Sequence, residues 1–185
     1  MSQQGAVSPR SILTIGHATR SISGFIRLLA AHRVSRLIDI RTIPELLTAV
    51  PRRAGIRYTH MAGLGGLRHP RLDLVNTGWR NPGFRGYADY MQTATFGRSL
   101  ERCIDLARAE QLVLMCAEVV PWRCHRSLVA DALLVRGVAV SEITSAIRTR
   151  PHCLTSWAHV EGVQITYPSA AGPHDLPVCR TPPRR

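Results

Sequence analysis

Apolar residues along this chain come in two rhythms. The runs "SILTIGH", "SRLIDIR", "QLVLMC" and "VAVSEI" are short, nearly continuous and bounded by polar or turn residues. That is the pattern of strands buried on both faces. "AGIRYTHM", ending near His60, reads as one more strand. Elsewhere apolar positions recur at helical spacing. In "SISGFIRLLAAHR", Phe25, Leu28, Leu29 and His32 share a face, and Ser21 or Ser23 can cap the start. "YADYMQTATFGRSLERCIDLARAE" is helical with a break near Thr93 to Thr95; Phe96, Leu100, Ile104 and Ala107 line one face, and Cys103 falls in the core pattern. "RSLVADALLVRG" is a helix stopped by Gly137. Strand, helix, strand at this spacing is a βαβ unit, which implies parallel strands and right-handed crossovers. The predicted fold is α/β: a single three-layer domain with a mostly parallel sheet and helices on both faces, Rossmann-like.

The same reading divides the chain into a flexible N-terminus (1–10), one domain (11–168) and a disordered Pro- and Arg-containing tail (169–185). Residues 61–86, rich in Gly, Asn, Pro and Arg, read as a long loop, and long loops in compact domains are often functional. From about Arg148 the pattern predicts a short helix and the strand "VQITYP".

Composition narrows the classes. No apolar run is long enough to span a membrane, and "MSQQGAVSPR" has no apolar stretch, so it is not a secretory signal. The expectation is a cytoplasmic protein with no membrane partner. Five cysteines, an odd number, without a signal peptide predict reduced thiols rather than structural disulfides. The net charge is +12, and all 24 basic residues are Arg. A chain without Lys reflects coding bias as much as function. The distribution is still uneven: Arg52, Arg53, Arg57, Arg68, Arg71, Arg80 and Arg85 face only Asp73 within 52–85. Such a patch suits an anionic partner, nucleic acid included, and equally a solvated arginine-rich loop region.

In an open parallel sheet, ligands bind beyond the carboxyl ends of the strands. Here those ends carry Gly16-His17, Asp39 and Arg41, Tyr58 and His60, then Cys116 and Glu118. Asp39 and Arg41 share a face at i and i+2, which serves an ion pair or an anion clamp equally. "GLGG" at 63–66 is a weak signal for close backbone approach to a ligand.

The turn "CAEVVPWRCHR" concentrates the chemistry, and three readings compete. As a thiol site, Cys116 ends a buried strand ahead of a helix N-terminus and arginines, which lower thiol pKa. The C-x6-R spacing to Arg123 is one longer than a phosphatase loop, and Val119, Val120 and Trp122 are too bulky for one. As a metal site, Cys116, Cys124 and His125 offer three ligands for zinc or iron, with His17 or His60 as a fourth. Against it, the zinc-deaminase spacing fails, and adjacent residues of a helix point apart. As an anion cradle, Arg123, His125 and Arg126 open the helix and Glu118 orients an arginine or acts as a base.

Taken together, "TIGHATRS", "LIDIRTIP", "YTHMAGLGGLRHP", "NTGWRNPGFRGYADYMQT" and "LMCAEVVPWRCHRSLVADAL" closely resemble the DUF488 domain family, from about Ile12 to Ile143. "HCLTSWAHVEGVQITYP" beyond them resembles one subgroup. The resemblance implies a compact α/β domain with a site around the "CAE" and "CHR" pieces. It carries over Cys116, Glu118, Cys124, His125 and Arg126, with His17, Asp39 and Arg41. It implies no reaction. After "RTIP", members continue with a Ser/Arg-rich loop; here Pro44 runs into "ELLTAVPRRAGIRY", a shortened segment, which puts ligand specificity in question.

The leading expectation is an enzyme for an anionic, phosphate-bearing or nucleotide ligand. Cys116 would be nucleophile or redox thiol, Glu118 and His17 would move protons, and Asp39, Arg41, His60, Arg123, Cys124, His125 and Arg126 would bind. No cofactor is required by this reading. The alternatives are a nucleic-acid module using 52–85, with Trp79 and Phe84 for stacking, a zinc or iron site, and a partner-binding role.

Overall fold

The apolar runs pair into one sheet because each alternates between two buried faces. The structure, a computed structural model, describes residues 8–44, 51–52, 54–71 and 75–169. Its six-stranded sheet has the order β3-β2-β4-β1-β5-β6, where β1 is Ile12–Gly16, β2 Arg36–Asp39, β3 Arg57–His60, β4 Leu112–Cys116, β5 Val140–Ile143 and β6 Thr149–Pro151. The first five are parallel and β6 is antiparallel to β5.

Leu13, Ile15, Leu37, Val113 and Met115 pack on one face against Phe25 and Leu29 of α1 (Ile22–Ala31). Ile12, Ile38, Ile40, Leu112 and Leu114 pack on the other, against α2 (Pro82–Tyr90), α3 (Ala94–Ala109) and α4 (Arg126–Leu134). This is the expected three-layer α/β arrangement. Ser21 caps α1 by accepting a hydrogen bond from the Gly24 N–H at 3.2 Å. Thr93 caps α3 and marks the expected helix break.

Three expectations need correction. The 61–86 loop is shorter: Ala62–Leu64 forms a 3-10 turn, and α2 begins at Pro82 because Asn81 caps it and proline suits the first helical position. The region after Arg148 holds no helix among the described residues; it forms β6 and a hairpin of β7 (His159–Glu161) and β8 (Gln164–Thr166). Cys153 is disulfide-bonded, against the expectation of reduced thiols throughout. An odd cysteine count excludes a complete set of pairs, not a single one. Cys103, Cys116 and Cys124 are free. Arg53, Asp73, the segment 45–50 after Pro44 and the tail beyond 169 lie outside the described residues.

The segment after β5 is fastened by one buried carboxylate. Asp131 on α4 accepts hydrogen bonds from His152 Nε2 (2.7 Å), the Thr155 hydroxyl (2.6 Å), the Thr155 N–H (3.2 Å) and the Tyr167 hydroxyl (2.9 Å). No described helix is long and apolar enough to cross a membrane.

The topology selects the site. From β1 the chain crosses over one face through α1; from β4 it crosses over the other through α4. Adjacent parallel strands whose connections leave to opposite faces open a crevice at their carboxyl ends. Register aligns those ends: Gly16 pairs with Cys116, and Asp39 with both Met115 and His60.

Candidate functional site

At that edge a cleft of about 290 Å³ is lined by Arg41, Thr42, Ile43, Gly66, Leu67, Cys116, Ala117 and His125. Of the residues predicted from sequence, Arg41, Cys116 and His125 border it. Its floor carries the sulfur and imidazole groups. His125 Nδ1 lies 4.0 Å from Cys116 Sγ and 3.8 Å from Cys124 Sγ, and the three atoms lie within 4.8 Å of one another. Among the described residues this is the group able to hold a metal ion.

The expectation that Cys124 and His125 point apart is overturned by where the helix starts. Cys124 has extended backbone (φ −129°, ψ 141°), and α4 begins only after His125. A kink between two residues lets neighbouring side chains converge as helix geometry would not.

His125 has a defined proton. Its Nε2 is 3.0 Å from the Ile40 carbonyl, which can only accept, so Nε2 carries a hydrogen and Nδ1 is the nitrogen that faces the sulfurs. The ring is backed by Tyr87, with centroids 4.9 Å apart, whose hydroxyl donates to the Leu64 carbonyl. Burial pushes the Tyr87 hydroxyl well above the usual phenol range. Tyr87 and Gly66 were missed from sequence. The weak "GLGG" signal pointed to the right place for another reason: a Cβ on Gly66 would stand 2.7 Å from His125 Nδ1.

The two thiols hold protons unequally. The neighbouring Cys124 thiol, acting as donor, draws Cys116 well below the usual thiol range; burial opposes this, and His125 and the Glu118 N–H add to it. Cys124 is raised in turn, first by Cys116 and then by burial. The Arg126 N–H donates to Cys124 Sγ at 3.4 Å.

Asp39 and Arg41 form the wall. Arg41 Nε and Nη2 bind the buried Asp39 carboxylate, closest at 2.7 Å, and Arg41 Nη1 lies 3.1 Å from His17 Nε2. A guanidinium only donates, so this His17 nitrogen accepts. Tyr58, which the sequence places with His60 at its strand end, donates to Asp39 at 2.8 Å. Burial would raise the Asp39 carboxyl, but the Arg41 side chain and N–H, with Tyr58, outweigh it and hold it below the usual carboxylate range. Burial and then Asp39 push Tyr58 up to about 12. His60 Nε2 donates to the Arg41 carbonyl at 2.9 Å and so braces the turn after β2.

The arginines of the turn stand elsewhere. Arg126 is buried: its Nη1 and Nη2 donate to the Glu118 and Val119 carbonyls at 3.0 and 3.3 Å, and Nη2 lies 3.6 Å from Glu142. It clamps the Cys116 loop from behind. Arg123 and Glu118 are exposed and do not line the cleft; Glu118 Oε1 accepts from the Val120 N–H at 3.4 Å. Trp79 packs on Phe84, Trp157 and Tyr167, with centroids 4.8 to 5.5 Å apart, so these rings serve the core.

Residues 21–133 match the family described as "Domain of unknown function DUF488", well over half of the chain. This chain belongs to the DUF488 family. The matched span contains α1 through most of α4, and with them Asp39, Arg41, Cys116, Cys124 and His125 of this DUF488 protein. No curated protein and no solved structure matches it.

Proposed function

We propose that this DUF488 protein is an enzyme that takes a small anionic molecule, a phosphate monoester or nucleotide, into the strand-end cleft. Cys116 and His125 supply its reactive groups. The observation that carries this reading is the convergence at the carboxyl ends of the strands: a cleft bordered by a cysteine, a histidine whose ring is held by the Ile40 carbonyl and an arginine fixed by its neighbours. Arg41 brings positive charge to the wall, and Asp39, Tyr58 and His17 position it. Glu118, exposed two residues beyond Cys116, carries protons to solvent. The net charge of +12 favours an anionic partner.

The test is calorimetric titration with inorganic phosphate and AMP, comparing wild type with Ala117→Trp, which fills the cleft from an exposed position. Binding in the wild type and a loss of about tenfold or more in the variant, roughly 1.4 kcal/mol, are expected. No binding, or binding indifferent to Ala117→Trp, would sink the reading.

A second reading has one observation behind it. At the β3 edge, Arg36, Arg52 and Arg57 border a shallow depression, and Arg57 is exposed despite its 3.0 Å contact with Glu110. A single-stranded nucleic acid along this edge would bind with an affinity falling steeply with salt and unaffected by Ala117→Trp.

A further inference from the structure

The cleft floor pairs two free, buried sulfurs with an imidazole nitrogen. We propose that Cys116, Cys124 and His125 hold a thiophilic divalent metal ion, with zinc the expected occupant and its fourth coordination position open to the cleft. This rests on the reading of the cleft as the working site and names the group that works there.

Geometry carries the inference. His125 is set as a metal-ligating histidine is set: its far nitrogen donates to a backbone carbonyl, Ile40 at 3.0 Å, which fixes the tautomer and the ring direction. Nδ1 then faces both sulfurs, at 4.0 and 3.8 Å. Tetrahedral zinc with bonds of about 2.3 Å to sulfur and about 2.0 Å to nitrogen has neighbouring ligand atoms roughly 3.5–3.8 Å apart. The nitrogen–sulfur separations therefore need to close by a few tenths of an ångström, and the two sulfurs, the widest pair within the 4.8 Å group, by about one ångström.

The inner sulfur has a backbone donor and a sealed position. The Arg126 N–H donates to Cys124 Sγ at 3.4 Å, and Cys124 is sealed beneath the turn. Two adjacent buried thiolates repel each other, and a divalent cation between them offsets both charges. Two sulfurs and one nitrogen select a borderline-soft ion over a hard one.

The open position follows from exposure. Cys116 and His125 border the cleft, whereas Cys124 does not. Three protein ligands and a vacant fourth place describe a catalytic rather than a closed structural centre. The vacant place would take water or an oxygen of the anionic ligand.

The experiment measures zinc by elemental analysis in full-length protein purified without tag or chelator. It then titrates metal-free protein with zinc and with cobalt(II). Near one ion per chain is expected, and a cobalt spectrum with thiolate-to-metal absorption. Cys124→Ser should lose at least about tenfold in zinc affinity, while Cys103→Ala, a core cysteine on α3, keeps it. Because Cys124→Ser could fail to fold, Cys124→His is tested beside it: a retained ligand atom should keep the ion and weaken the thiolate absorption. Folded wild type taking up neither zinc nor cobalt, or folded Cys124→Ser binding as tightly as wild type, would overturn the metal site. AMP binding on the same samples separates the two readings. Retained AMP binding without metal sinks only the metal; zinc without any cleft ligand sinks the ligand reading and leaves the metal.

Discussion

A methyl group at residue 66 has nowhere to go. It would stand 2.7 Å from His125 Nδ1, the atom that faces both sulfurs. Gly66→Ala should therefore tilt the imidazole off the Ile40 carbonyl and weaken zinc binding by about 10–100-fold, the range for a lost supporting contact. Zinc titration with a thermal melt checks this, and an unchanged affinity would mean that the ring finds another seat. Arg126 acts at the same scale from the other side. Replacing it by Met leaves the Glu118 and Val119 carbonyls without their arginine donor, at about 1–3 kcal/mol per buried group left unsatisfied, while Glu142 keeps Arg150 at 2.6 Å. Denaturant unfolding of Arg126→Met should show a loss in that range. Neither residue's task was legible in the sequence. A glycine loop and a helix-opening arginine each suggest ligand contact, and only the packing shows that one makes room and the other grips a loop.

The elements divide into those that make the cleft and those that hold the segment after β5 in place. The segments that follow β2, β3 and β4 border the cleft, and Gly16 on β1 lets the Cys116 loop take its path: a Cβ there would lie 2.2 Å from the Glu118 carbonyl, so the loop can cross β1 only over a glycine. The helix α4 does double duty, presenting His125 at its start and Asp131 within. Asp131→Ala would strand the donors of His152, Thr155 and Tyr167. With each unsatisfied buried donor costing about 1–3 kcal/mol, a loss of at least about 3 kcal/mol is expected. Hydrogen exchange should show residues 149–167 losing protection before the sheet does. Strands and the larger helices were legible because continuous apolar runs and 3.6-residue spacing report burial directly. β8 was legible as the strand "VQITYP"; β6 and β7 were not, since three residues carry no periodicity. The start of α2 was hidden because Asn81, Pro82 and Gly83 read as turn residues, although Asn-Pro also opens helices.

For the whole molecule, acid tests the charge arrangement. Asp39 and Glu110 are both held below the usual carboxylate range. For Asp39, burial is outweighed by Arg41; for Glu110 the Arg36 hydrogen bond leads. A folded pKa below the unfolded one gives stabilisation that is complete above the unfolded value and lost as pH falls through the folded one. Urea stability should thus be level around neutrality with respect to these groups and decline below about pH 4. Rising stability through that window would contradict both pairings. The location of the cleft was legible at this scale too. The strand-end rule brings His17, Asp39, Arg41, His60 and Cys116 to one edge before any coordinate is known. The convergence of Cys124 with His125 was not, because it depends on Cys124 being extended between a 3-10 turn and a helix that starts only after His125.

The central claim is that the strand-end cleft is where this DUF488 protein binds its ligand. Backbone amide shifts followed during titration with AMP test it most directly. The account predicts that the largest changes fall at Thr42, Leu67 and Ala117, around Cys116 and His125. Changes confined to Arg36, Arg52 and Arg57 along the β3 edge, with the cleft silent, would contradict it.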